Sequence, residues 1–399
     1  MKKVFSIFLL VCMIIAVAGM AMASEEGKLL IWADKERAVV FEDLKADFEA
    51  EYGIQVEIQE VAFGEIRDNL TIAGPSGEGP DILVGAHDWL GQLVANGLIE
   101  PVELSELKDD FYQVTLDAFT WGDKIYALPY GFESIGLIYN KDLVSEPPAT
   151  FEEFKNILSD LRNEEEETYG FVMPQPDPYH TFPFLSATGG YIFGINEAGE
   201  YNPLDVGLNN KGAVKGLAYL AELYDKKLIP YVDYQTMMSL FTAGQVGMIN
   251  TGPWALADIK AANINYAFTK LPSIDGQTPK PFVGVQGMMI SSFSKNKMLA
   301  QAFLTDFVAN EETMMKLFEL DNRPPAYKPV AEVVSSNPDI AGVLASAADG
   351  TPMPSIPEMA SVWQAWSDAL EVVLTQDQEP ADALDNAVEQ IKAAIKTTE

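Results

Sequence analysis

The apolar run Leu29-Leu30-Ile31-Trp32 has the length of a buried strand. After it, Val40, Leu44, Phe48 and Tyr52 recur every fourth residue, the spacing of one helix face, and Gly53 marks where that helix stops. Ile54-Gln55-Val56-Glu57-Ile58 then alternates like a half-covered strand, Ile66 to Ala73 reads as a helix, and Asp81 to Val84 as a strand. Strands alternating with helices predict a mainly parallel sheet with helices on its faces. The same order restarts after residue 133, with a strand over Ile135 to Tyr139, a helix from Thr150 to Leu161, a strand over Gly170 to Met173 and a long helix over Lys211 to Lys226. A final amphipathic helix is expected over Asp382 to Lys396, with Leu384, Val388, Ile391 and Ile395 on one face. The predicted class is therefore α/β in two lobes, each a mainly parallel sheet covered by helices.

Composition narrows what such a chain does. Met1-Lys2-Lys3, an apolar run to about Ala18, and Ala21-Met22-Ala23 have the three parts of a secretory signal peptide. Val11 is too bulky for the residue that precedes a lipidated cysteine, so ordinary cleavage near Ala23 is expected, with a mature chain starting at Ser24 in the periplasm. The leader holds the single cysteine, Cys12, so the exported part would fold without a disulfide. It also holds Lys2 and Lys3 and no acid, so its removal takes the formal charge from -33 to -35, which repels nucleic acid and anionic lipid. The runs of acid, such as Glu164 to Glu167, read as solvated surface.

In open α/β sheets ligands bind beyond the carboxyl ends of the strands, where several loops converge. "VGAHDWLG", residues 84 to 91, lies at such an end. Sugars ask for the chemistry found there, because a pyranose ring carries hydroxyls around its rim and apolar C–H groups on its faces. Carboxylates accept strong hydrogen bonds, and aromatic rings cover the faces. Candidates at strand ends and loop junctions are Asp34-Lys35, Asp88-Trp89, Glu133, Asp177-Pro178-Tyr179, Trp254 and Trp363. Asp34 and Asp177 are equally suited to capping helices, and Trp121 and Trp366 read as core or edge rings. Glu133 lies in an apolar stretch, Tyr130 to Ile138, where an acid needs a partner. His87 and His180 are too scattered for a metal site and read as hydrogen-bonding residues, His180 at a cleft rim. The chain has no Gly-x-Ser-x-Gly, phosphate-loop or GxGxxG pattern, and no cofactor or metal is expected.

From about Lys28 to Lys396 the chain resembles the exported maltose and maltooligosaccharide-binding proteins of ABC transporters. The stretches that carry the likeness are "GPDILVGAHDW", "NGLIEP", "LIYNKDL", "GGYIF", "AGQVGMINTGPWA", "KPFVGVQG", "SKNK" and "TPMPSIPEM", in order. The resemblance implies a two-lobed periplasmic-binding-protein fold with a cleft between the lobes. It divides the chain into a signal peptide 1–23, an N-terminal lobe 24–132 plus 287–331, and a C-terminal lobe 133–286 plus 332–399. Crossings would lie near Gly131-Phe132, Gln286-Gly287 and Val330. Its sugar-contacting positions fall on Asp34, Lys35, Asp88, Glu133, Asp177, Tyr179, Trp254, Met353 and Trp363, to which the strand-end reading adds Trp89 and His180. This sequence has Gly85 to Trp89 where some members read Trp-Ala-His-Asp-Arg, Asp177 for a glutamate, and Ser367 for an arginine; the family's Lys and Glu near Glu65 to Arg67 have no clear counterpart.

The function implied is high-affinity binding of maltose or longer α-glucans and their delivery to permease subunits by hinge closure, by a monomer, with a chemoreceptor as a further partner. The alternatives are an exported glycoside hydrolase acting on α-glucans, whose paired carboxylates would also flank a sugar, and a binding protein for another solute such as trehalose or a polyamine.

Overall fold

The computed structural model describes residues 27–398, save 164 and 198. The expected leader, Cys12 and the cleavage point near Ala23 lie outside the described residues, as does Glu164.

The first strand, Lys28–Ala33, lies between Gln55–Glu60 and Ile82–Ala86 and is parallel to both. Ile82–Ala86 pairs antiparallel with the long strand Phe282–Ser291, which also takes Leu128–Ser134 and Ile99–Glu100 antiparallel and Thr351–Pro352 parallel, completing a seven-stranded sheet. A second sheet runs Tyr266–Thr269, Gly136–Asn140, Val246–Thr251, Tyr169–Val172, with only the last pair parallel. Both sheets are thus mixed, where periodicity had predicted mainly parallel ones. The antiparallel pairs occur where strands arrive by crossing between sheets rather than over a helix: Leu128–Ser134 passes through Ile135 alone into Gly136–Asn140 of the other sheet. The return runs from Tyr266–Thr269 to Phe282–Ser291. A further crossing follows Lys328–Val333, whose Val330 is buried with the first sheet, since Pro338–Ala347 packs on Tyr266–Thr269 of the second.

Local signals explain the helices. Lys35–Tyr52 buries Val40, Phe41, Leu44 and Phe48 and starts at Asp34, whose Oδ1 accepts from the Arg37 amide at 3.0 Å. Phe151–Leu161 opens on a capping box, Thr150 and Glu153 each closing on the other's backbone amide. Pro380–Thr398 buries Leu384, Val388, Ile391 and Ile395, and packs on Trp363–Gln376, where Trp366 is fully buried.

Candidate ligand-binding cleft

Four strands end toward one place. Lys28–Ala33 gives way to Asp34, Ile82–Ala86 to His87-Asp88-Trp89, Tyr169–Val172 to the loop ending in Asp177-Pro178-Tyr179, and Val246–Thr251 to Trp254. The first two belong to one sheet and the last two to the other, and the residues after them line a single cavity of about 780 Å³.

Two tryptophans are seated by glycines. A Cβ at Gly85 would stand 2.1 Å from the Trp89 ring, and one at Gly252 would stand 2.1 Å from the Trp254 ring, so each indole folds back flat on bare backbone at a strand end. Trp89 is buried, its ring 4.7 Å from that of Phe63. Trp254 is half-buried, with the His180 ring edge-on at 6.0 Å and Tyr179 at 6.1 Å. Pro253 starts the short helical turn that lifts Trp254 from the strand.

The acids are held by partners. Asp34 caps its helix and pairs with Arg37, whose Nε donates to the Tyr130 hydroxyl at 2.7 Å. Glu133 is buried where Arg323 donates to one oxygen and Gln286 Nε2 donates to the other at 3.0 Å. Arg323 also pairs with Asp321, and its guanidinium carbon stands 5.5 Å from the centre of the Trp254 ring. Asp177 accepts from the His180 amide at 3.0 Å, and His180 Nδ1 lies 2.9 Å from Asp177 Oδ2 outside hydrogen-bond geometry. Burial works to raise the Asp177 carboxyl, but the facing His180 ring and the backbone amides of His180 and Tyr179 outweigh it and hold it below its ordinary range. Asp88 has less support: burial lifts its carboxyl to about 6 against the opposing pull of Arg67 and the Trp363 indole.

His87 accepts the Val285 amide on Nδ1 at 3.0 Å, so its Nε2 carries the proton toward the Met353 carbonyl at 3.1 Å. Burial pushes its pKa down to about 4, and the neutral ring ties the seven-stranded sheet to the segment carrying Met353. Of the residues singled out in sequence, Asp34, Asp88, Trp89, Glu133, Asp177, Tyr179, His180, Trp254, Met353 and Trp363 line the cavity. Lys35 stands exposed outside the lining, because the first helical residue is turned about 100° from its cap, and Glu36 and Arg37 take the cavity side instead. Sequence reasoning missed Arg37, Phe63, Arg67, Tyr234, Gln286 and Arg323 as lining residues. Among the described residues no cluster of three or more His, Cys, Asp or Glu could hold a metal, and no helix is long and apolar enough to cross a membrane.

The model of the bacterial extracellular solute-binding proteins matches residues 43–342. A galactooligosaccharide-binding protein of Bacillus subtilis is 34% identical over 94% of this chain and 91% of its own. A maltodextrin-binding protein of the same organism is 29% identical over 94% of this chain and 92% of its own. Among solved structures, the Thermus thermophilus maltotriose binding protein bound with maltotriose superposes with a TM-score of 0.87 at 31% identity, covering 92% of this chain and 100% of that one. These relatives and this fold are those of binding proteins, not enzymes. With carboxylates and indoles from two sheets facing one cavity, the chain belongs to the bacterial extracellular solute-binding protein family.

Proposed function

We propose that the chain binds a neutral oligosaccharide in this cleft, a short α-glucan such as maltotriose in the first instance, and hands it to the permease of an ABC transporter. The observation that carries the reading is the lining itself, where the faces of Trp254 and Trp363 stand beside Asp88, Glu133 and Asp177. A cavity near 780 Å³ suits a small ligand rather than a macromolecule. The acids of the lining, Asp34, Glu36, Asp68, Asp88, Glu133 and Asp177, outnumber the arginines Arg37, Arg67 and Arg323, and that disfavours acidic sugars. The arginines pair with Asp34, Asp68 and Glu133, which leaves an amine cation fewer bare carboxylates than the number of acids in the lining.

Closure supplies the signal to the permease. We assign the lobes to 24–132 with 287–331 and 133–286 with 332–399. The ladder between Leu128–Ser134 and Phe282–Ser291 shifts register between Gln286 and Gly287, a place for the hinge to bend. A ligand that touches both lobes lowers the closed form relative to the open one and shifts the population toward it. The protein would work as a monomer on the outer side of the cytoplasmic membrane.

A galactooligosaccharide is the second reading, supported by the Bacillus subtilis relative of that name. Calorimetric titration with maltose, maltotriose, trehalose, cellobiose, β-1,4-galactotriose, digalacturonate and spermidine tests both. Saturable binding of a neutral oligosaccharide and silence from digalacturonate and spermidine are expected; tight binding of either charged compound would overturn the reading. Incubation with maltotetraose should release no new reducing ends.

A further inference from the structure

Three side chains of the cleft carry buried polar atoms with no hydrogen-bond partner: the Tyr179 hydroxyl, both ring nitrogens of His180 and Gln286 Oε1. Gln286 is the most enclosed, 1% exposed on the strand Phe282–Ser291, and its other amide atom is spent on Glu133. Arg323 is in a matching position. Its Nε goes to the second Glu133 oxygen and its Nη1 to Asp321, which leaves Nη2 with no hydrogen bond to the protein among the described residues.

Resting on the sugar reading above, we propose that Arg323 and Gln286 set the specificity of this site: with Glu133 between them, they read two adjacent hydroxyls of the sugar ring that lies against Trp254. The chemistry is complementary. A hydroxyl both donates and accepts, so one of the pair donates to Gln286 Oε1 while its neighbour accepts from Arg323 Nη2. Because both side chains grip the two oxygens of one carboxylate, the free acceptor and the free donor are held a short distance apart, as neighbouring hydroxyls on one ring are. The guanidinium stands against the Trp254 ring, so a sugar face laid on the indole brings its rim to these groups. A buried acceptor without a donor is costly, and a ligand hydroxyl removes that cost. Glucose and galactose differ in the orientation of one hydroxyl at C4, which changes one adjacent pair from trans to cis. A site that reads the C3 and C4 hydroxyls, the pair left free on the non-reducing terminal ring of a 1,4-linked trisaccharide, therefore distinguishes the two, and sites that pair with a hydroxyl reject ligands that cannot offer it.

The test is calorimetry with maltotriose and β-1,4-galactotriose on the full chain and on Gln286→Met and Arg323→Lys, alongside melting temperatures. Gln286→Met keeps the length of the side chain and removes the acceptor; Arg323→Lys keeps the charge and removes the second arm. Each is expected to weaken the preferred trisaccharide about tenfold, the size of one lost hydrogen bond in a dry site. The ratio of the two Kd values should narrow by about fivefold, a change that a purely structural role for these residues would not produce. Should Arg323→Lys fail to fold, Gln286→Met alone decides the matter. Wild-type Kd values and an unchanged ratio in Gln286→Met overturn the proposal, while a wild-type chain that binds neither trisaccharide overturns the sugar reading and this subsite with it.

Discussion

At the scale of single residues, Asp88 shows what the cleft costs the fold. Its carboxyl is buried with a pKa near 6, above the ordinary 3.8, so the folded chain holds that proton more tightly than the unfolded one. Stability from this group is therefore greatest below about pH 4, where both states are protonated, and falls as pH rises through 6. The full penalty at neutral pH is on the order of 3 kcal/mol. Asp88→Asn is expected to raise the melting temperature at pH 7.5, with the gain shrinking as the pH is taken down to 4; a gain that grows on acidification would contradict the assignment. Sugar binding should run the other way, weakening below pH 6 as the acceptor is protonated. Trp254→Ala and Trp363→Ala should each weaken binding tenfold or more, as loss of a central aromatic anchor does; unchanged titrations would remove those rings from the site. Asp34 and Asp177 turn out to cap helices and to line the cavity at once, so the two readings of each acid in sequence were not rivals. Arg37 had left a signal, since it falls on the same helical stripe as Val40, Leu44 and Phe48, and an arginine on a buried face must be paired. Gln286, a polar residue inside the apolar strand Phe282–Ser291, had the same signature as Glu133. Arg323 had none: it lies in an irregular stretch before Pro324-Pro325, and only the fold brings it to Glu133.

At the scale of elements, periodicity found the existence of strands and helices better than their ends. The helix expected over Ile66 to Ala73 runs over Phe63–Ser76, because Ala62 gives no side-chain cap to mark its start and Pro75 sits in its last turn. The fold class could be read from alternation, but the mixed pairing could not, since hydrophobic pattern carries no strand direction. That the chain leaves one sheet and enters the next within a single residue, Ile135, also leaves no trace in composition. Gly85 and Gly252 connect this scale to the site, for each lets an indole lie on its own strand end. Gly85→Ala and Gly252→Ala should destabilise the protein by about 1–3 kcal/mol through overpacking and should displace the ring. Gly252→Ala, whose tryptophan is the more exposed of the two, should lose sugar affinity along with stability; wild-type tryptophan fluorescence and wild-type Kd in that variant would contradict the role given to the contact.

At the scale of the molecule, two sheets contribute facing halves of one cavity, and repeated crossings of the chain carry the connection between them. The sequence has no low-complexity stretch of the kind that separates independent domains, and the fold explains why: the connections are strands and packed helices rather than solvated tethers. Closure around a ligand should appear in solution as a smaller radius of gyration when sugar is added, with no change when a non-binding sugar replaces it. An equal radius with and without saturating ligand would contradict a hinge. The central claim is that indoles and carboxylates drawn from both halves bind one neutral oligosaccharide, and calorimetric titration of maltotriose and β-1,4-galactotriose into the wild type and into a Trp254→Ala, Asp88→Asn double variant tests it most directly. One-to-one binding at about micromolar Kd in the wild type for at least one of the two, about −8 kcal/mol, and none in the variant, is the result predicted; no binding of either by the wild type, or equal binding by both chains, would contradict it.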